Sequence, residues 1–174
     1  MKHFLPLIII SILILITGCS KSKDDTEQSI IDQKPIEEPV PENLEPIDFK
    51  DLPGKWALRF SGNYGYEFRF NKSYKALVII YLGSSSLLFN GVYTIENGNL
   101  KINIYEMKNE DRSENLNIYS NFIKAKSSYF LFKAGINKKP GTNKMLVLRP
   151  SNIIIDGINS DGYFEPVIKL KPSP

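Results

Sequence analysis

The sequence predicts an all-β fold: a small antiparallel meander closed as a β-barrel, with a β-sandwich as the alternative. Three observations carry this. In "YGYEFRFN", Tyr64, Tyr66, Phe68 and Phe70 share one face while Glu67 and Arg69 fall on the other, the period-two signature of a half-buried strand. Turn chemistry ("SGN", "NKS", "GSSS", "ENGN", "NKKPGTN", "NSDG") cuts the C-terminal part into short runs. The one helix candidate there, "EMKNEDRSEN" at 106–115, has no apolar stripe and reads as a polar loop. Many short strands at turn-marked spacing make a barrel or a sandwich.

The chain opens Met1-Lys2-His3 and continues as a 13-residue run, Phe4–Ile16, apolar apart from Ser11, the length of a signal-peptide core and short of the roughly 20 residues a membrane span needs. Thr17 and Gly18, both small, precede Cys19. "ITGC" resembles the bacterial lipobox. That resemblance implies a diacylglyceryl group on the Cys19 sulfur, cleavage between Gly18 and Cys19, and acylation of the new amino terminus. Two or three acyl chains, at roughly 0.8 kcal/mol per buried CH₂, suffice for durable anchoring. Ser20, rather than Asp, at the next position points by the family's sorting rule to the outer membrane of a bacterial envelope.

Residues 19–51 read as a tether. Between 24 and 51 ten acids face only Lys34 and Lys50, a net of −8, and Pro35, Pro39, Pro41 and Pro46 punctuate the stretch. Such a composition describes a solvated, extended spacer. Residues 52–174 form the folded part, with 17 Lys+Arg against 9 Asp+Glu, a net of +8, and nearly all the aromatic residues. Its expected strands are Trp56–Ser61, Tyr64–Phe70, Tyr74–Leu82, Leu87–Ile95, Leu100–Ile104, Leu116–Ala125, Ser128–Ala134, Lys144–Arg149, Asn152–Asp156 and Tyr163–Lys169. Asn97-Gly98 in "IENGNL" predicts a two-residue hairpin, because primed turns need positive φ at both central positions.

"LPGKW" at 52–56 places Gly54-Lys55-Trp56 on the first strand, and "GVYTIENGNLKI" follows at 91–102. Together these are similar to the G-x-W and G-x-Y patterns of lipocalins and lipocalin-like lipoproteins. The resemblance implies a lipocalin-like barrel in which Trp56, after Gly54, packs across one end near a late basic residue, Arg149 or Lys169.

Composition narrows the chemistry. The 156 residues after Gly18 contain no histidine, and the sole thiol is the one expected to carry lipid. No Ser-His-Asp triad, Cys-His pair, His- or Cys-ligated metal site or disulfide can be built from them. Ser20 to Lys23 matches S-x-x-K only by chance, beside the lipid. "DGINSDGYFE" at 156–165 echoes a calcium loop but puts Gly157 and Ile168 where carboxylates are required, so Ser160-Asp161-Gly162 is a tight turn. The acids of the folded part are scattered: Glu67 is expected on the solvent side, and Glu106, Glu110, Asp111 and Glu114 in a hydrated loop. No catalytic residue, metal or cofactor is therefore expected. The expected function is a non-catalytic binding or scaffolding module, its candidate apolar-ligand residues being Tyr64, Tyr66, Phe68, Phe70, Tyr81, Phe89 and Tyr93. The alternative is a basic surface module for anionic envelope components or a partner protein, with Lys138, Lys139 and Lys144 as the candidate anion site. Nucleic acid is not an expected partner of an exported chain.

Overall fold

The computed structural model describes residues 43–111, 121–138, 141 and 143–174; the lipobox, Cys19, most of the expected tether and Lys139 lie outside them. The strands are β1 (Glu45–Pro46), β2 (Gly54–Arg59), β3 (Tyr64–Phe70), β4 (Lys75–Leu82), β5 (Ser85–Glu96), β6 (Asn99–Asp111), β7 (Ile123–Asn137), β8 (Met145–Ile155), β9 (Ile158–Asn159) and β10 (Ile168–Ser173). Every pairing is antiparallel. β2 to β8 pair in sequence order, and β10 closes the ring between β8 and β2, giving an eight-stranded up-and-down barrel. Closure removes the open edges that a sheet this size would otherwise expose. The barrel alternative is thus the one realised.

Alternation sets the two faces. Trp56, Phe68, Val78 and Phe89 face one another in register across β2 to β5 and belong to the buried interior. Ala57, Glu67, Ile79 and Leu88 form the neighbouring outer row. The long strands carry register shifts between Asn90 and Gly91, between Ile104 and Glu106, and between Leu131 and Phe132, the kind of bulge that lets a strand bend to stay on the cylinder. Gly91 is required at the first of these, since a Cβ there would stand 2.6 Å from the Asn103 carbonyl oxygen. The hairpin predicted at Asn97-Gly98 forms with φ of 50° and 75°.

Four sequence expectations are revised. The polar stretch after Glu106 is strand as far as Asp111, because β5 supplies a partner for each residue: Leu88 opposes Lys108, and Ser86 opposes Glu110. The two runs around Pro150 fuse into β8, the proline sitting at the bulge opposite Phe132, where ladder bonding is already broken. The Tyr163–Lys169 run resolves into a helical turn, Asp161–Tyr163, and then β10. The folded part also begins before residue 52. β1 pairs with β7, Ile47 is buried in the core, and Asp48 and Asp51 cap the turn Phe49–Asp51 through reciprocal side-chain bonds to backbone N–H groups.

Candidate functional site: an aromatic barrel interior and its rim

Five of the seven candidate ligand residues, Tyr66, Phe68, Phe70, Phe89 and Tyr93, point into the barrel and are buried there. They pack on one another and on further interior rings. Phe68 stacks on Phe70 at 6.1 Å and meets Phe132 edge-on at 5.9 Å, Phe89 meets Phe130 at 5.0 Å, and Phe70 meets Tyr93 at 5.1 Å. These centroid separations are those of rings in direct contact.

The hub of this packing is Phe164, which the sequence did not single out. It lies on the connection between the Asp161–Tyr163 turn and β10, is only 6% exposed, and enters the barrel from one end. There it contacts Phe132 at 5.3 Å, Phe130 at 5.4 Å and Tyr66 at 5.5 Å. Asp161 fixes the approach of this segment, its carboxylate accepting from the Ile153 N–H at 2.9 Å and from the Asn159 amide at 3.0 Å. Glu165 N–H donates to the Tyr66 hydroxyl at 3.3 Å. Burial raises the Tyr66 and Tyr93 hydroxyls above their ordinary pKa, so both stay neutral donors and acceptors.

Above Phe164, at the rim, a cleft of about 390 Å³ is lined by Phe60, Tyr64, Tyr66, Tyr81 and Tyr163 among others. Tyr64 shares the parity of the inward residues but opens β3 at the barrel's rim, opposite Leu82, and is half exposed. Tyr81 is on the outer face. Its ring lies under the Arg59 guanidinium at 3.5 Å, and its hydroxyl donates to Glu67 at 3.2 Å. Gly65 sits between Arg59 and Tyr81 in register, and the missing side chain lets Arg59 reach across. A Cβ at Gly65 would stand 2.1 Å from the Leu58 carbonyl oxygen.

Glu67 is not on the solvent side in the expected sense. It faces outward, yet its side chain is only 5% exposed, clamped by Arg59 Nη2 at 2.6 Å and Arg69 Nε at 2.5 Å. Burial works to raise its pKa, but the hydrogen bonds and charges of Arg69, Tyr81 and Arg59 outweigh that and hold it below the usual carboxylate value. Asp51 behaves alike: burial raises it, and Lys138 with the Asp48 N–H brings it below the ordinary value.

At the other end, Trp56 is buried and its indole N–H donates to the Leu52 carbonyl at 2.8 Å. The basic residue over its ring is neither Arg149 nor Lys169 but Lys144, 5.2 Å from the centroid, with its ammonium donating to the Asp51 carbonyl at 3.3 Å. Arg149 lies instead on the outer face opposite Lys133. Lys138 is held by the Asp51 carboxylate at 2.7 Å and lies 3.7 Å from Glu45. The candidate anion turn therefore gives two of its three cations to the protein's own groups. Comparison of the chain with protein-family models, with curated proteins and with solved structures finds no match.

Proposed function

We propose that this chain is a lipid-anchored protein of the bacterial envelope, held through Cys19, whose lipocalin-like barrel is a non-catalytic binding or scaffolding module that works through its rim and outer surface. The anchor rests on the order basic start, apolar run, small pair and cysteine. The surface reading rests on one observation: Phe164 is buried among the interior rings, packed on Tyr66 and Phe68, two of the rings a small apolar ligand would need, and on Phe130 and Phe132. A ligand seated on those rings would have to displace Phe164.

Two measurements test this reading. Labelled palmitate is expected to enter the protein in its bacterial host and to be lost in Cys19→Ser; equal incorporation by the variant removes the anchor. Native mass spectrometry of the full chain is expected to give the mass of the lipidated protein alone. A stoichiometric apolar adduct retained through purification would overturn the surface reading in favour of an interior site.

A further inference from the structure

Arg149 on β8 and Lys133 on β7 stand directly opposite each other across the ladder, on the outer face of the barrel. Like charges in that relation repel, and the fold places no acid between them. Among the described residues neither meets a carboxylate, whereas Arg59, Arg69, Lys108 and Lys138 each do. Arg149 is also half-buried, so it has given up part of its hydration with no carboxylate among the described residues to replace it.

The two cations border a cleft of about 390 Å³ where β1 passes the hairpin turn, and Asn97, Gly98 and Asn99 line its far side. Glu45 is the one carboxylate on the wall, and it stands 3.7 Å from the Lys138 ammonium. We propose that this cleft binds a phosphate group borne by a larger molecule, with Arg149 as the forked donor, Lys133 as the point charge and the Asn97 and Asn99 amides as further donors. The planar guanidinium suits two phosphate oxygens at once, and Lys adds charge without demanding geometry. The cleft is larger than a bare phosphate needs, which leaves room for the glycerol or sugar attached to it.

The inference deepens the surface reading above by giving it a ligand class, and its failure leaves the lipid anchor untouched. The full chain in non-ionic detergent micelles is titrated with inorganic phosphate, sodium chloride holding the ionic strength constant. Phosphate is expected to raise the unfolding midpoint saturably, with chloride alone giving no such rise. Arg149→Gln and Lys133→Gln should each weaken the apparent affinity at least tenfold, and Lys75→Gln, an exposed lysine of β4, should leave it unchanged. Both cleft variants relieve a repulsion, so they are expected to fold at least as stably as the parent without phosphate. Glycerol 3-phosphate and phosphatidylglycerol-doped micelles then separate the sources. Response to the first identifies a soluble phosphate ester, and response only to the second identifies a lipid headgroup. No saturable response to any of the three, or equal responses from the parent and both cleft variants, would overturn the site.

Discussion

Phe164 joins the loop before β10 to the interior rings of the barrel, contacting Tyr66, Phe68, Phe130 and Phe132, so its removal should be felt across that packing. Truncating a fully packed ring costs both its transfer free energy and the cavity left behind, about 3–5 kcal/mol for Phe→Ala. Phe164→Ala is therefore expected to lose stability of that order in urea unfolding, and Phe164→Leu much less. A loss below about 1 kcal/mol would mean that the neighbouring rings close the gap and that Phe164 is not the hub. Ser86 makes the opposite case. Its hydroxyl is fully buried on the outer side of β5, with no hydrogen-bond partner found for it among the described residues. An unsatisfied buried hydroxyl carries a desolvation cost of about 1–3 kcal/mol, so Ser86→Ala should stabilise the protein by about 1 kcal/mol. A destabilised variant would mean that the hydroxyl has a partner after all.

Among the elements, the short β1 and the turn behind it decide where the folded unit begins. Ile47 is buried against the core, so Ile47→Ala is expected to cost about 2–4 kcal/mol by denaturant unfolding. A free tether at that point would show no change. The sequence concealed this because Glu45, Pro46 and Asp48 share the acidic, proline-rich composition of the residues before them; only pairing with β7 distinguishes them. Where a strand has one wet face, its period announces it, and β3 and the first half of β6 were legible for that reason. The second half of β6 was not, because its pattern follows from what β5 lays beside it. The candidate site divides along the same line. Alternation identified Tyr66, Phe68 and Phe70 as inward-facing, but no local signal makes the phenylalanine of "GYFEP" a stopper. Nor could spacing choose between Arg149 and Lys144 as the cation over Trp56, since that depends on how the loop before β8 returns to the barrel's end.

For the molecule as a whole, two buried carboxylates tie the surface to the fold and set its response to acid. Glu67 clamps the outer face of β2, β3 and β4 through Arg59, Arg69 and Tyr81, and Asp51 ties the entry turn to the end of β7 through Lys138. Both have folded-state pKa values below their ordinary 4.5 and 3.8. A depressed carboxylate stabilises the fold at every pH above its unfolded value, and the contribution disappears as pH falls through the folded one. Unfolding free energy should thus be flat, as far as these groups are concerned, from neutral pH down to about 5, and should fall steadily below about 4.5. Glu67→Gln separates the two contributions. At neutral pH it leaves Arg59 and Arg69 without their anion, and because both guanidinium groups are half exposed the expected loss is limited to about 1–3 kcal/mol. Below about pH 4.5 the unfolded parent takes up a proton at Glu67 before the folded form does, so the parent loses stability that the variant never had and the two should draw together as pH falls. Parallel curves down to pH 3 would show that Glu67 does not carry the charge the clamp requires.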